Sequence, residues 1–199
     1  MKCRLRLFSV ENLALLLWVE QAIYLGKKVR TIQVILHIGM HKTGSTSIQT
    51  ALDGGVPGLG LASMGRNNNH GRSFSRAFSK GKTPEKQENS KELRAKLKQE
   101  ITECKDEQFL ITGERISIYN AELLTRFFEF VSPLCDSIRV IGYVRPPHGL
   151  MQSHFQQHLK GGLAGTYYDF EPANWYKSYF KRFDKFDQVF GKENVTLKV

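Results

Sequence analysis

The stretch VILHIGMHKTGSTSIQTAL, residues 34–52, decides how the rest of the sequence is interpreted. An apolar run rich in β-branched residues ends at a glycine, a loop with one lysine and several hydroxyl groups follows, and a helical pattern begins after the loop. A glycine-rich turn at the start of a helix presents backbone N–H groups and the positive end of the helix dipole to an anion. The stretch therefore predicts a strand, an anion-binding loop and a helix, in that order.

The order of residues in this loop separates it from the common nucleotide-binding loop. In the Walker pattern the lysine follows the last glycine, and a hydroxyl group then holds magnesium. Here Lys42 precedes Gly44, which argues against an ATP site. The order favours a single phosphate group held by N–H groups and hydroxyls, with Lys42 turned back over the next group of the ligand.

Short apolar runs bounded by polar or turn residues predict buried strands. They cover residues 31–38, 108–112, 137–144 and 195–199. Helical patterns between them predict an α/β fold with three α/β/α layers, a mostly parallel sheet and a core like that of P-loop proteins. In such a sheet ligands bind beyond the carboxyl ends of the strands, so the loops after the first three strands are expected to share one edge.

The helical patterns have recognisable faces and ends. Gly54 and Gly55 stop the first helix, Asn89 and Ser90 precede the second, and Asn120 caps the third. The apolar faces are formed by Ile48, Ala51 and Leu52; by Leu93, Leu97, Ile101 and Cys104; by Leu123, Leu124, Phe127, Phe128 and Val131; and by Trp175, Tyr179, Phe183, Phe186 and Phe190. Residues 65–90 are rich in Arg, Asn, Ser, Lys and Gly, and they are interpreted as a long mobile insertion.

The length of 199 residues favours one domain, residues 31–199, preceded by a helical extension of residues 1–30. The domain is expected to lack its C-terminal part, because the sequence ends within a predicted strand. The apolar run at residues 13–19 is too short for a transmembrane span. The three cysteines show no metal-type spacing, so no metal and a cytoplasmic location are expected. The net charge of +10 favours anionic partners.

Two motifs resemble those of sulfotransferases that use 3′-phosphoadenosine 5′-phosphosulfate (PAPS), in particular their carbohydrate and bacterial branches. HIGMHKTGSTS, residues 37–47, resembles the 5′-phosphosulfate loop of that family. VIGYVRPPHGLMQSHFQQHLK, residues 140–160, is similar to its 3′-phosphate motif, a strand followed by Arg145, a proline and Ser153. The guanidinium of Arg145 is suited to a phosphate group, and the prolines after it stop the strand and start a helix.

The resemblance implies roles for individual residues. The 5′-phosphosulfate is expected to contact Lys42, Thr43, Gly44, Ser45, Thr46 and Ser47, and the 3′-phosphate to contact Arg145 and Ser153. Lys42 is the candidate for stabilising charge on the bridging oxygen. Glu114, just past a strand end, is the candidate base for the acceptor hydroxyl. His41, His148 and His154 remain rivals, because other members of the family use a histidine.

The implied activity is sulfuryl transfer from PAPS to a hydroxyl acceptor, expected to be a carbohydrate, with no nucleic acid as partner. Two alternatives stay open: an ATP-dependent small-molecule kinase, and a non-catalytic, truncated protein that binds nucleotides or polyanions. His37 is interpreted as a core histidine, and His70 carries no signal. The basic residues of the insertion are interpreted as a solvated loop, and binding of an acidic acceptor is the alternative: Arg66, Arg72, Arg76, Lys80 and Lys82. A further hypothesis is that Phe74 and Phe78 cover an acceptor pocket.

Overall fold

The computed structural model describes residues 31–41, 43–65, 68–162 and 179–199. Within this part of the chain the strands are β1 (Gln33–His37), β2 (Leu59–Leu61), β3 (Gln108–Thr112), β4 (Ser137–Tyr143) and β5 (Val195–Lys198). The α-helices are α1 (Ser45–Leu52), α2 (Gly71–Phe78), α3 (Pro84–Glu103), α4 (Ala121–Val131), α5 (Pro147–Lys160) and α6 (Tyr179–Phe190). Short 3₁₀ helices cover Glu114–Ile118, Ser132–Leu134 and Lys192–Asn194.

The strands of the described residues form one sheet in the order β2-β3-β1-β4-β5, and every pairing is parallel. β1 lies in the centre, where His37 pairs in register with Thr112 on one side and with Ile141 on the other. Helices flank the sheet, so the predicted α/β fold with a parallel sheet is confirmed. Parallel strands place their carboxyl ends at one edge of the sheet, and this edge carries the loop after β1.

Two strands differ from the sequence-based prediction. β2 was not predicted, because its three residues include Gly60 and show no extended apolar run. β5 was predicted as buried, but Val195 and Thr196 are half-buried and Leu197 and Lys198 are exposed. Among the described strands β5 pairs with β4 alone, at the end of the strand order.

The core lies between the sheet and the helices. Its largest buried side chains include Leu36, Ile38, Phe109, Ile111, Leu97, Ile101, Phe127 and Phe186. The cap at Asn120 is confirmed, because Asn120 Oδ1 accepts a hydrogen bond of 3.0 Å from the N–H of Leu123 at the start of α4. Phe183, Phe186 and Phe190 of α6 are buried as predicted. The predicted extension at residues 1–30 and Trp175 lie outside the described residues.

The prediction of a mobile insertion at residues 65–90 is wrong where the structure describes it. Residues 71–78 form α2, whose Phe74, Ala77 and Phe78 are at most 2% exposed. Phe74 and Phe78 therefore belong to the core, and they do not cover a pocket. The ring of Phe127 packs against both, with centroid distances of 4.8 and 5.2 Å.

The start of α3 also differs from the prediction. The helix begins at Pro84, seven residues before the predicted start after Asn89 and Ser90. Thr83 Oγ1 accepts a hydrogen bond of 3.4 Å from the N–H of Lys86. A threonine cap followed by proline at the first helical position is a strong start signal. No helix among the described residues is long and apolar enough to cross a membrane.

Candidate functional site

The loop that follows β1 ends at Gly44, the residue before the first turn of α1. Gly44 has a φ of +82°, a left-handed conformation that glycine adopts without the steric penalty of a side chain. As the N-cap residue it supplies no side-chain acceptor for the first N–H groups of the helix. These N–H groups and the positive end of the helix dipole are suited to an anion.

The hydroxyl groups of this loop have different environments. Thr43 Oγ1 donates a hydrogen bond of 2.7 Å to the carbonyl oxygen of Met40, so its proton closes the loop and is not directed at a ligand. Ser45 is buried, and its Oγ donates a hydrogen bond of 2.9 Å to Glu114 Oε2. Lys42 lies outside the described residues, and its role stays a prediction.

A cavity of about 320 Å³, called the loop cavity here, lies where the loops after β1, β3 and β4 meet. Its described lining residues are His41, Gly44, Ser45, Thr46, Glu114 and Arg145. The sequence predicts that these three loops share one edge of the sheet, and the structure brings them together. Ser47 on α1 and Ser153 on α5 are not among the described residues that line this cavity.

Glu114 is held between two side chains of the β1 loop region. One carboxylate oxygen accepts the hydrogen bond from Ser45, and the other lies 3.1 Å from His41 Nδ1. The side chains of His41 and Glu114 are 40% and 25% exposed. Two of the candidate bases therefore contact each other at the mouth of the cavity. His148, a third candidate, is exposed in the first turn of α5 and is not among the residues that line the loop cavity.

Arg145 reaches the loop cavity from the opposite side, after the end of β4. Its side chain passes close to the first turn of α5, where a Cβ placed on Gly149 would lie 3.2 Å from Arg145 Nε. The hydroxyl of Tyr179 on α6 donates a hydrogen bond to the carbonyl oxygen of Arg145. The glycine leaves room for the arginine, and the tyrosine fixes its backbone. Neither Gly149 nor Tyr179 was identified from the sequence as a residue that positions Arg145.

Comparisons with known proteins support the architecture. The structure is similar to the crystal structure of a sulfotransferase from Alicyclobacillus acidocaldarius, with a TM-score of 0.51 and 14% sequence identity over 86% of this chain and 73% of that chain. The fold is sulfotransferase-like. No family model and no curated protein matches the sequence. At 14% identity, the similarity to the solved structure shows the fold alone.

In this sulfotransferase-like fold two buried histidines, His37 and His70, join β1 and β3 to the start of α2. His37 Nδ1 lies 2.8 Å from Thr112 Oγ1, and burial lowers the pKa of His37. The N–H of Gly113 donates a hydrogen bond of 3.0 Å to the carbonyl oxygen of His37. The interpretation of His37 as a core residue is confirmed, and its contacts hold the segment that leads to Glu114.

His70 is fully buried, although no pattern in the sequence predicted this burial. The N–H of Thr112 donates a hydrogen bond of 3.1 Å to His70 Nδ1, and the N–H of His70 donates one of 2.8 Å to the carbonyl oxygen of Thr112. Burial lowers the pKa of His70 to about 4, despite the opposing effect of the Ala62 carbonyl. Because Nδ1 accepts a hydrogen bond, the neutral ring with its proton on Nε2 fits this position.

The 3₁₀ turn that carries Glu114 is also fixed from α6. Arg182 Nη2 donates a hydrogen bond of 2.8 Å to Ser117 Oγ, which donates one of 2.9 Å to the carbonyl oxygen of Glu114. Burial lowers the pKa of Arg182. The described residues contain no group of three or more His, Cys, Asp or Glu side chains placed to hold a metal ion.

Proposed function

We propose that this protein transfers a sulfuryl group from PAPS to a hydroxyl group of an acceptor, with a carbohydrate as the expected acceptor. One observation carries the proposal. In the loop cavity the first turn of α1 at Gly44, the carboxylate of Glu114 and the guanidinium of Arg145 lie together. These groups come from three separate strand ends, and each corresponds to a part of the chemistry.

The residues of the loop cavity suit the two anionic groups of PAPS. Backbone N–H groups of the α1 turn, with Ser45 and Thr46, would hold the 5′-phosphosulfate, since donors at a helix N-terminus bind such groups well. Arg145 would hold the 3′-phosphate through its planar, permanently charged fork. Further contacts to PAPS stay predictions for three residues that are not among the described lining of the loop cavity: Thr43, Ser47 and Ser153.

Glu114 is the proposed base. Its carboxylate lines the loop cavity beside the groups proposed to hold the nucleotide, where a base can reach the acceptor hydroxyl. In the transfer, the acceptor oxygen forms a bond to sulfur, the bond from sulfur to the bridging oxygen of PAPS breaks, and the proton of the acceptor hydroxyl passes to Glu114. His41, which contacts Glu114 and is partly exposed, would pass this proton to solvent. Lys42 is proposed to stabilise the charge on the bridging oxygen.

The proposal is tested by calorimetry with 3′-phosphoadenosine 5′-phosphate, the product that remains after transfer. We expect binding to the wild type, and loss of roughly 100-fold in affinity for Arg145→Ala, because removal of a charged hydrogen-bonding partner costs about 2–3 kcal/mol. Glu114→Gln keeps an acceptor for Ser45, so it should bind the nucleotide well and lose turnover by about 10²-fold or more.

ATP with magnesium is the comparison ligand. Preference for the 3′-phosphorylated nucleotide that disappears in Arg145→Ala supports the proposed function over a kinase. Equal binding of ATP and the 3′-phosphorylated nucleotide, or equal affinity of wild type and Arg145→Ala, would contradict it. Retained turnover in Glu114→Gln would reject Glu114 as the base and direct attention to His41.

A further inference from the structure

A second cavity of about 520 Å³, called the arginine cavity here, shares two residues with the loop cavity. Its described lining residues are His41, Asn69, Arg72, Ser73, Arg76, Glu114 and Arg115. His41 and Glu114 line both cavities. A molecule in the arginine cavity would therefore contact the proposed base next to the nucleotide, as an acceptor hydroxyl has to do.

Three arginines converge on this cavity. Arg72 and Arg76 are one turn apart on the exposed side of α2, and Arg115 follows Glu114 in the 3₁₀ turn. None of the three side chains forms an ion pair with a described acidic residue. Like charges one turn apart destabilise a helix, and an anion between them would relieve the repulsion.

The backbone that carries Arg72 and Arg76 is fixed at both ends of α2. The hydroxyl of Tyr119 donates a hydrogen bond of 2.7 Å to the carbonyl oxygen of Gly71. Ser90 Oγ donates one of 2.7 Å to the carbonyl oxygen of Ala77. The opposite face of α2 is buried in the core. The arginines therefore project from a rigid support, which reduces the entropy lost when they bind a ligand.

The basic surface continues past Arg76 into another cavity of about 500 Å³. Its described lining residues are Ser75, Arg76, Ser79, Lys80, Gly81, Lys82, Glu85, Lys86 and Asn89. Lys80 is paired with Glu122 at 2.7 Å, whereas Lys82 and Lys86 have no acidic partner among the described residues. Both cavities are lined by Arg76, and both lie along α2. This helix has eight residues and is therefore about 12 Å long.

We propose that the acceptor is an anionic oligomer, an acidic oligosaccharide in its simplest form, that binds along α2. Its reacting hydroxyl lies at Glu114, one anionic group lies between Arg72, Arg76 and Arg115, and the next units extend toward Lys82 and Lys86. This inference rests on the proposed function, because it takes the loop cavity as the site of the sulfuryl donor. It specifies the class of acceptor, which the sequence left open.

The test uses two oligosaccharides that differ mainly in charge. A hyaluronan hexasaccharide carries a carboxylate on every second sugar, and chitohexaose is its neutral counterpart. Calorimetry is performed with the full chain, with and without saturating 3′-phosphoadenosine 5′-phosphate. The variants are Arg72→Gln with Arg115→Gln near the proposed base, and Lys82→Gln with Lys86→Gln at the far end. Lys98→Gln on the exposed face of α3 removes a charge outside these cavities and serves as the control.

We expect the acidic hexasaccharide to bind at least about tenfold more tightly than the neutral one, with a difference that shrinks at high salt. The near double variant should remove this preference, and Lys98→Gln should keep it. The far double variant should weaken binding of the hexasaccharide and leave that of a hyaluronan disaccharide unchanged. Circular dichroism of each variant verifies that the fold is retained.

Several outcomes would overturn the inference. Equal binding of both hexasaccharides, or an unchanged preference in the near double variant, rejects the anionic acceptor even if the nucleotide binds. An unchanged affinity in the far double variant rejects the extended path. The nucleotide could fail to bind while the affinity for the acidic hexasaccharide still depends on Arg72 and Arg115. That result would reject both the proposed function and the proposed class of acceptor, and it would identify a polyanion-binding protein.

Discussion

The loop cavity and the arginine cavity are built from different parts of the protein, although they share His41 and Glu114. The loop cavity presents the first turn of a helix, so much of its binding capacity belongs to the backbone and is fixed by the position of Gly44. The arginine cavity presents long charged side chains on a fixed helix. The first arrangement is suited to a group of defined shape, and the second is suited to negative charge.

This difference suits the two substrates of the proposed transfer reaction. The donor of a sulfuryl group is one molecule that always binds in the same way, and fixed backbone N–H groups need no reorganisation around it. An acceptor polymer offers units of varying conformation, and arginine side chains adjust to them. Glu114 lies between the two environments and contacts residues of the loop region.

The largest loss of stability is expected from a substitution where the turn that carries Glu114 contacts the start of α2. A Cβ on Gly113 would lie 2.6 Å from the backbone nitrogen of Gly71, so Gly113→Ala forces the turn of Glu114 away from the start of α2. The φ of Gly113 is −179°, which alanine also adopts, so the effect is steric. We expect a loss of about 3 kcal/mol in the free energy of unfolding by urea denaturation, with weaker binding in both cavities.

Gly54→Ala is the matched control for this prediction, because a Cβ on Gly54 has no neighbour within 4 Å. It should change the free energy of unfolding by less than about 0.5 kcal/mol. Equal stability of Gly113→Ala and Gly54→Ala would show that the two supports are not in tight contact. Weaker binding in one cavity alone would show that the cavities are independent.

An effect of intermediate size is expected from the protonation of His70, which links β3 to the start of α2. Its pKa is about 4 in the folded protein and about 6.5 in an unfolded chain. Between these values the unfolded chain binds a proton that the folded protein does not, so stability is complete above pH 6.5 and falls as the pH falls. At pH 5 the loss from this group is about 2 kcal/mol.

Urea denaturation from pH 7 to pH 4 measures this slope, with His70→Asn as the comparison. The asparagine cannot gain a proton, and its Oδ1 replaces Nδ1 as the acceptor for the N–H of Thr112. The wild type should lose about 2 kcal/mol more than the variant between pH 7 and pH 5. Parallel slopes would show that His70 does not remain neutral in the fold. Burial also lowers the pKa of His37, which contributes in the same direction in both proteins.

The parts of the structure that the sequence predicts are those with signals close together in the chain. β1, the loop and α1 lie within residues 33–52, and their apolar run, glycines and helical pattern are contiguous. The cap at Asn120 is likewise followed at once by the apolar face that it starts. Arg145 was predicted from the resemblance of its segment to the 3′-phosphate motif, and the structure places it after β4 and before the prolines that lead into α5. In these places local preference and tertiary structure agree.

The parts that the sequence did not predict depend on contacts between distant residues. α2 has only a few apolar side chains in a polar segment, and its ends are held by Tyr119 and Ser90 from other elements. His70 is buried because Thr112, 42 residues away, occupies the neighbouring strand end. A helix of eight residues is too short to be stable by itself. Its existence, and with it the alignment of Arg72 and Arg76, depends on the finished core.

The smallest effect is expected from Gly44→Ala, which separates the loop cavity from the rest of the fold. A Cβ at Gly44 has no neighbour within 4 Å, and its φ is +82°, so the cost is conformational and amounts to about 1 kcal/mol. A shift away from this conformation turns the first N–H groups of α1. Nucleotide binding should therefore weaken, while binding of the acidic hexasaccharide in the absence of nucleotide stays unchanged.

Gly44→Asn is the control variant, because asparagine tolerates the left-handed conformation better. It should recover much of the nucleotide affinity. If Gly44→Ala weakened both ligands equally, the backbone of the loop would also shape the arginine cavity, and the division between a donor site of backbone groups and an acceptor site of side chains would be wrong.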